Sequence, residues 1–323
     1  SIEPCRSKQV QPLLQTIWKH FSKLSGKMGQ LKASTIILSL LALGSFVFKV
    51  IFNALGGIGY YPFSRSVGNV SDTFPLDVTP AGWAFSIWGL IYTWNFAFIV
   101  YALTTECRDV PPVLNELFYL LYIVCDVLNI AWLYTFTSEF IFSSCVILVS
   151  NQIALYALMY VVYVNYRAYQ KEIEQQHEAD AICMAVLVEN GIMLNAAWVT
   201  IASLLSIGMV LTYDNHVPMG TSCVVILASL LVIALLWFVL QNFTFQPYLN
   251  YTYSDWPVIL WALSASLAKN WDPNSVSARF TMADLVIVII LVIARIALQA
   301  KKNKRVEYFD QPLLNEKLIQ LRV

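Results

Sequence analysis

Charge is scarce in this sequence. Charged residues make up 12% of the 323 residues and apolar residues 58%, whereas a typical soluble domain carries about 25% charged residues. The few charges gather at the two ends of the chain and in short gaps, and long apolar runs lie between them. A soluble protein of this composition would have to bury almost every helix on all sides, so the composition predicts an integral membrane protein instead.

Metal ligands and reactive pairs are equally sparse. The three histidines, His20, His177 and His216, lie outside the apolar runs, and the six cysteines form no close pair. The sequence therefore contains no zinc or disulfide pattern and offers no histidine within a span to hold haem iron. No nucleophile with a neighbouring base and no phosphate-binding loop is present. We expect no metal site, no resident cofactor, no enzymatic activity and no nucleic-acid partner.

Apolar segments of spanning length recur along the chain. A helix needs about 20 apolar residues to cross a bilayer, and lipid offers the backbone no hydrogen-bond partner, so each segment is expected to be helical. The seventh is the weakest, because its continuous apolar part, Pro257–Ala268, is too short to cross alone; it could be kinked at Pro257 or be re-entrant. The eight predicted helices cover residues 33–55, 82–105, 116–137, 140–166, 181–211, 221–243, 247–269 and 280–300.

Basic residues at both ends predict the orientation. Residues 1–32 carry six basic side chains, and a basic run, Lys301 to Arg305, follows the last predicted helix directly. Positive residues collect on the cytosolic side, so both ends are expected in the cytosol. Within the first segment, residues 10–28 repeat apolar side chains at helical spacing with lysines between them. This pattern predicts an amphipathic helix that lies on the membrane surface or packs on a cytosolic loop.

Two short motifs indicate a compartment. Asn69-Val70-Ser71 lies in the segment between the first two helices, which is expected on the non-cytosolic side, and matches the acceptor pattern for N-glycosylation. In the C-terminal tail, Asp310–Leu314 resembles an acidic dileucine sorting signal, with an ordinary tail as the alternative. The two motifs together favour the endomembrane system, in endosomes or lysosomes, or the plasma membrane.

Three tryptophan-containing motifs carry a family resemblance. The second helix opens with Thr79-Pro80-Ala81-Gly82-Trp83-Ala84-Phe85-Ser86-Ile87-Trp88-Gly89-Leu90-Ile91-Tyr92, the third contains Leu128-Asn129-Ile130-Ala131-Trp132, and the fifth contains Ala197-Trp198-Val199. In this order and on these helices the motifs resemble those of the TspO/MBR family, the tryptophan-rich sensory or translocator proteins. The sequence departs from the family pattern at Leu194, where the family has proline, and at Ser206, where it has asparagine.

The resemblance implies an all-α membrane fold with a five-helix core. Family members are often dimeric and bind porphyrins or sterol-like molecules in a pocket roofed by the loop between helices 1 and 2, so a homodimer and a small apolar ligand are expected beside membrane lipid. The eight-helix bundle then consists of a TspO-like core and three extra helices. The chain divides into a cytosolic amphipathic segment at residues 1–32, a five-helix core at 33–211, a three-helix extension at 212–300 and a cytosolic tail at 301–323.

Aromatic side chains form the candidate ligand site. Trp88 and Tyr92 are four residues apart and share a helix face, and Phe85 extends the same stripe. Such walls suit a flat or polycyclic ligand, although tryptophan also fills helix interfaces and the membrane–water belt, for which Trp83 at the helix mouth is well placed. The resemblance brings in side chains from two other helices. The candidate residues are Trp83, Phe85, Trp88, Tyr92, Asn129, Trp132 and Trp198.

Ionisable residues inside the predicted spans form a second candidate set. Asp126, Glu189 and Lys49 are costly in a bilayer and are expected to face a partner or a cavity. They could form a protonatable track, or they could pair and lock helices together. Glu189 and Lys49 sit near opposite faces of the membrane and are not expected to pair directly. Arg295 lies close to the basic end of the last helix, where snorkelling to the membrane surface would explain it.

These observations leave three functional hypotheses open. The first is a TspO-like protein that binds or transports a small, largely apolar, porphyrin- or sterol-like molecule in the aromatic pocket. The second is a proton-coupled secondary transporter that uses Asp126 and Glu189. The third is a structural membrane subunit without a ligand.

Overall fold

The computed structural model of the chain describes the backbone of residues 7–245 and 249–320 and the side chains of residues 33–245 and 249–302. This described part is helical and contains no strand. A 3-10 turn at Gly82–Ser86 leads into the third helix, and π-helical segments follow the sixth, seventh and eighth. The helices are α1 Ser7–Ile58, α2 Val67–Thr73, α3 Ile87–Glu106, α4 Glu116–Thr137, α5 Ile141–Gln176, α6 Glu178–Cys183, α7 Asn190–Met209, α8 Met219–Val239, α9 Asp255–Asn270 and α10 Val276–Gln320.

Seven helical segments in the described residues are long and apolar enough to cross a membrane. The predicted all-α, multi-pass membrane architecture is therefore confirmed. Helix α9 falls short of the count of eight, because its 16 residues extend about 24 Å, less than the roughly 30 Å of a hydrocarbon core. The seven segments are Ala33–Ile58, Gly82–Glu106, Glu116–Thr137, Ile141–Gln176, Glu178–Asp214, Met219–Thr244 and Val276–Lys302.

The packing order of the helices divides the bundle into two parts. α4 packs on α1 and α5, α7 packs on α5 and α3, and α3 also packs on α1. We call these five helices the core and α8, α9 and α10 the extension. α8 and α9 then pack on α7, and α10 packs on α8 and α9. α7 is thus the shared wall, and small residues allow close approach there: a Cβ added at Gly191 would lie 3.0 Å from Cδ1 of Trp94 on α3.

One end of the bundle is closed by residues 59–86, and we call it the roof end. The hydroxyl of Tyr213, beyond the last turn of α7, donates to the carbonyl of Pro75 at 2.6 Å. At the C-terminal end of α9, the Asn270 side chain donates to the carbonyl of Thr79 at 2.9 Å. Both the core and the extension therefore hold the roof in place.

The opposite end carries the turn of residues 107–115, and we call it the tail end. Nη2 of Arg108 in this turn lies 2.7 Å from Oδ1 of Asp180 in α6. The hydrogen bond to this carboxylate raises the pKa of the Arg108 guanidinium above its ordinary value. Nδ2 of Asn165 in α5 donates to the carbonyl of Val113 at 2.8 Å and fixes the same turn from the other side.

Helix α9 begins at Asp255, eight residues after the predicted start of the seventh span at residue 247. Pro257 lies in its first turn, where a missing N–H costs no helical hydrogen bond, so it starts this helix and does not kink it. The six residues before α9, 249–254, are not helical, and they reach into the bundle at the level of Asn190. Such backbone is tolerated at membrane depth only where protein groups satisfy it.

Two predicted terminal features lie outside the described side chains. Helix α1 runs from Ser7 to Ile58, so the predicted amphipathic segment of residues 10–28 belongs to the same helix as the first span. Its placement on a membrane surface stays a prediction, because the side chains of residues 1–32 are outside the described part. The proposed sorting signal at residues 310–314 is also outside it and likewise stays a prediction.

Candidate functional site

A short helix, α2, forms the roof of the candidate site. Oγ of Ser66 accepts a hydrogen bond from the backbone N–H of Asn69 at 3.1 Å and caps the helix, since serine satisfies an N–H that the first turn leaves free. Val70 and Ser71 point inward and are buried, whereas the predicted glycosylation residue Asn69 is exposed. The capped helix thus turns Val70 and Ser71 toward the bundle and Asn69 to the outside.

The aromatic wall beneath the roof comes from α3 and α7. The rings of Trp88 and Tyr92 stack with centroids 5.6 Å apart, as their four-residue spacing predicts. The ring of Trp198 from α7 stands edge-on to Trp88 at 6.3 Å and edge-on to Phe85 at 6.3 Å. Aromatic rings favour edge-to-face contacts of this kind. The helices therefore bring together aromatic residues that lie about 110 positions apart in the sequence.

Two adjoining cavities lie between this wall and the roof. Their volumes are about 360 Å³ and about 60 Å³. The larger cavity is lined also by residues of α1, and the smaller one by residues of α7. The larger cavity opens beside the solvent-exposed pair Asp72 and Lys269, and we call this opening the mouth. Side chains shared by both cavities are Val67, Ser71, Pro80, Phe85, Trp88 and Trp132.

Five of the seven candidate pocket residues line these cavities, namely Phe85, Trp88, Tyr92, Trp132 and Trp198. The other two do not. Trp83 is half-exposed and packs edge-on against Trp261 of α9 at 4.8 Å, because it lies before α3 on the outer side of the 3-10 turn. Asn129 is buried, and its Oδ1 accepts a hydrogen bond at 2.7 Å from Nδ2 of Asn53, which lines the larger cavity in its place.

Two polar atoms near the cavity are buried without a partner among the described residues. They are the hydroxyl of Tyr92 and the indole Nε1 of Trp132, and both residues line the larger cavity. A buried donor left unpaired costs about 1–3 kcal/mol.

Lys49 and Asp126, predicted as candidate ion-coupling residues, form a buried pair. Nζ of Lys49 on α1 lies 2.5 Å from Oδ1 of Asp126 on α4, and both side chains are almost fully buried. Oγ of Ser45 donates to the other carboxylate oxygen at 2.8 Å. This arrangement matches the alternative in which these charges hold two helices together.

Glu189, the third candidate, lies apart from that pair at the seam between core and extension. Its carboxylate accepts a hydrogen bond from Oγ1 of Thr252 at 3.3 Å. The neighbouring Asn190 accepts hydrogen bonds from the backbone N–H groups of Tyr253 and Ser254 at 2.9 and 3.1 Å. Its Nδ2 donates to the carbonyl of Tyr251 at 2.7 Å. The non-helical segment before α9 is therefore held by two polar residues at the start of α7.

Arg295 does not snorkel to the membrane surface as predicted. Its side chain is 1% exposed, and its Nη2 donates to the carbonyls of Leu249 and Thr252 at 2.9 and 2.8 Å. Nη1 contacts Oδ1 of Asn242 at 3.3 Å. The prediction was wrong because the non-helical segment supplies carbonyls inside the bundle, which nothing in the α10 sequence reveals.

Charged residues of the extension were missed by sequence reasoning. Asp255 is buried, and its carboxylate accepts a hydrogen bond from the Gln241 side chain at 2.8 Å. Lys269, in the last turn of α9, lines the mouth of the larger cavity. An acidic residue in the first turn and a basic residue in the last turn are ordinary helix-end features, so neither stood out in the sequence.

A third cavity of about 530 Å³ lies between α5, α7 and α8. Its walls are apolar and include Tyr156 and Trp237, whose rings are 5.6 Å apart. Ile153, Tyr160 and Leu236 at its edge are exposed, so this cavity opens sideways where lipid would lie. It is formed jointly by core and extension and lies away from the roof.

A known protein family matches most of the chain. The model of the family, described as TSPO-like protein, matches residues 39–297, which is well over half of the chain. The match runs through α8 and α9 and into α10, so it includes the extension that the sequence motifs left unassigned. No curated protein and no solved structure matches the chain.

Proposed function

The chain belongs to the TSPO-like protein family, and from that premise we propose that it binds a small, largely apolar, ring-containing molecule under the α2 roof. A porphyrin- or sterol-like ligand is the proposed class, and release of that ligand on one side of the membrane would make the protein a carrier. The proposed activity is binding and not catalysis. Among the described residues no group of three His, Cys, Asp or Glu side chains could hold a metal ion.

The observation that supports this proposal is the cavity itself. It is walled by the stacked pair Trp88 and Tyr92 and by Trp132, and it has a volume of about 360 Å³, with a further 60 Å³ beside Trp198. Ligand sites in proteins are typically apolar concavities of about 300–1,000 Å³ with a few polar groups. The side chains of Asn53 and Ser71 on the lining of the larger cavity would supply such polar groups.

Ligand binding can be tested with purified protein in detergent. Protoporphyrin IX is titrated while tryptophan fluorescence is followed, and the fluorescent sterol dehydroergosterol is titrated in parallel. Saturable quenching is expected with at least one of the two. Trp88→Ala removes a wall of the cavity and should weaken binding about tenfold.

The matched control is Trp83→Ala, which removes the same fluorophore outside the cavity. It should leave the dissociation constant within about twofold of wild type. A second variant, Gly57→Leu, fills the cavity from α1, where an added Cβ would meet no atom within 4 Å. Absence of saturable quenching by either compound, or equal effects of Trp83→Ala and Trp88→Ala, would contradict the proposal.

The alternative hypotheses remain distinguishable from ligand binding. The pairing of Lys49 with Asp126 supports a helix-locking role for both residues and weakens their candidacy in proton coupling. A proton-coupled transporter predicts that Asp126→Asn abolishes proton movement in proteoliposomes while the fold persists. A structural subunit predicts a stable protein partner on native purification and no ligand in the cavity.

We further propose that both chain ends face the cytosol and that the roof end faces a lumen or the outside. The supports are the basic residues at both ends and the exposed position of Asn69 on the roof. Treatment with an N-glycosidase should shift the wild-type protein on a gel and leave Asn69→Gln unshifted. The endosome or lysosome is the proposed compartment, and fluorescence microscopy after mutation of Leu313 and Leu314 tests it.

A further inference from the structure

The mouth of the larger cavity carries a charged residue from the extension. Lys269, in the last turn of α9, lines this cavity together with Asn53 of α1 and Asp72 of α2. Among the described residues that line the cavity, Lys269 is the one with a basic side chain. The cavity therefore has an aromatic interior, and an ammonium and a carboxylate lie at its opening.

The present partner of Lys269 is a weak one. Nζ of Lys269 lies 3.6 Å from Oδ1 of Asp72, whose side chain is 75% exposed. An ion pair this open to solvent contributes little to the stability of a protein. The Lys269 ammonium can therefore exchange Asp72 for another anion at little cost.

The position of Lys269 is fixed independently of that pair. The Asn270 side chain donates to the carbonyl of Thr79, and Nε1 of Trp261 donates to the carbonyl of Ala84 at 3.1 Å. The backbone N–H of Ala81 donates to the carbonyl of Ala265 at 3.0 Å. Helix α9 is thus bound to the chain segment that enters α3, and the last turn of α9 is held at the cavity mouth.

Resting on the proposed function, we infer that the ligand is an amphipathic acid: its ring system lies against Trp88 and Trp132, and its carboxylate lies at Lys269. With a purely apolar ligand the Lys269 ammonium keeps only its solvent-open pair with Asp72, whereas the carboxylate of an acid can pair with it directly. The extension thereby becomes part of the binding site, with Lys269 as the residue that selects for the acid.

The test uses two probes that differ in one charge. 1-Pyrenebutyric acid and its methyl ester share a flat aromatic body, and pyrene absorbs tryptophan emission, so binding is followed by energy transfer. Lys269→Gln should weaken binding of the acid about fivefold and change binding of the ester less than twofold. Because each probe is compared between variant and wild type in the same detergent, its partition into micelles cancels.

Two further variants sharpen the result. Asp72→Asn removes the competing carboxylate and should tighten binding of the acid alone. Arg65→Gln is the matched control, because Arg65 is a basic residue of the roof end that pairs with Glu139 and does not line the cavity. It should leave both probes unaffected, and raising the salt concentration should weaken binding of the acid only.

The outcomes separate this inference from the proposed function. If Trp88→Ala weakens both probes while Lys269→Gln affects acid and ester alike, the inference fails and the aromatic pocket stands. If Trp88→Ala changes neither probe, the pocket itself is refuted. Absence of saturable binding of the acid to the wild-type protein also overturns the inference.

Discussion

The five-helix core and the three-helix extension both bury charge within helices that are long and apolar enough to cross a membrane, but they accommodate it differently. In the core, Lys49 and Asp126 face each other at 2.5 Å, so opposite charges from two helices cancel directly. In the extension, Arg295 donates to the carbonyls of Leu249 and Thr252, and no helix supplies those acceptors. The core uses charge to join regular helices, and the extension uses it to satisfy backbone that is not helical.

The physical reason lies in the hydrogen bonds of the backbone. A continuous helix satisfies its own N–H and C=O groups, so the core needs only to balance side-chain charges. The segment of residues 249–254 does not satisfy its own backbone N–H and C=O groups. Asn190 on one side and Arg295 on the other form hydrogen bonds with them. Four substitutions test this contrast, and the expected loss of stability falls from the first to the last.

Breaking the core's ion pair should have the largest effect. Lys49→Met leaves the Asp126 carboxylate buried without its cation, which is expected to lower the free energy of unfolding by about 3–5 kcal/mol. Thermal unfolding in detergent, followed by circular dichroism, measures it. The control is Arg65→Met, which breaks an exposed pair with Glu139 and should cost less than about 1 kcal/mol. Equal losses in the two variants would contradict the assignment of a structural role to the buried pair.

Removing the Arg295 side chain should destabilise the extension, and in particular the non-helical segment before α9. Arg295→Met deprives two buried carbonyls of their donor and should cost about 3 kcal/mol. Thr252, fully buried in the wild type, should become accessible. Thiol labelling of Thr252→Cys, in a background with Cys107→Ser, reports this opening. Arg279→Met, an exposed change on the same helix, should leave the engineered cysteine protected.

Removing the hydrogen bonds that Asn190 of the core forms with the non-helical segment should lower stability by a smaller amount. Asn190→Ala removes three hydrogen bonds to residues 251–254 and should lower stability by about 2 kcal/mol. Asn95→Ala is the comparison, because Asn95 is also buried but its Nδ2 has no partner among the described residues. The double variant with Arg295→Met should lose less than the sum of the single losses, since both residues hold one segment.

The smallest effect is expected where core, roof and extension meet. A Cβ added at Gly208 of α7 would lie 3.0 Å from Cδ1 of Leu76 in the roof and 3.2 Å from Cδ1 of Ile226 in α8. Gly208→Ala should therefore cost about 1 kcal/mol. Gly220→Ala, where an added Cβ meets nothing within 4 Å, should be neutral or slightly stabilising in the same unfolding assay.

Much of the core could be predicted because its signals are local. The spacing of Trp88 and Tyr92 predicts one helix face, and their rings do stack. The long apolar runs predict the spans, since a helix in lipid must be apolar along its whole length. The family match across residues 39–297 confirms the TspO-like resemblance, although the sequence motifs covered only its first part.

The extension was less predictable, because its distinctive groups act through contacts distant in sequence. Arg295 looks like an ordinary basic residue near a helix end until residues 249–252 are placed beside it. Lys269 looks like an ordinary last-turn cation until α2 brings Asp72 within 3.6 Å. Neither of these two contacts produces a periodic pattern or a motif that could be recognised in a single sequence.

The sequence by itself determined that this protein is a multi-pass helical membrane protein with an aromatic, TspO-like core, because hydropathy and helical spacing are properties of neighbouring residues. Only the tertiary structure decided that Lys49 and Asp126 pair and that Trp83 stays outside the cavity. It also decided that α9 begins at Asp255, later than predicted, and that its last turn lies at the mouth of the larger cavity. Those features depend on which helix faces meet, and that choice is made by packing and by buried polar groups acting across the whole bundle.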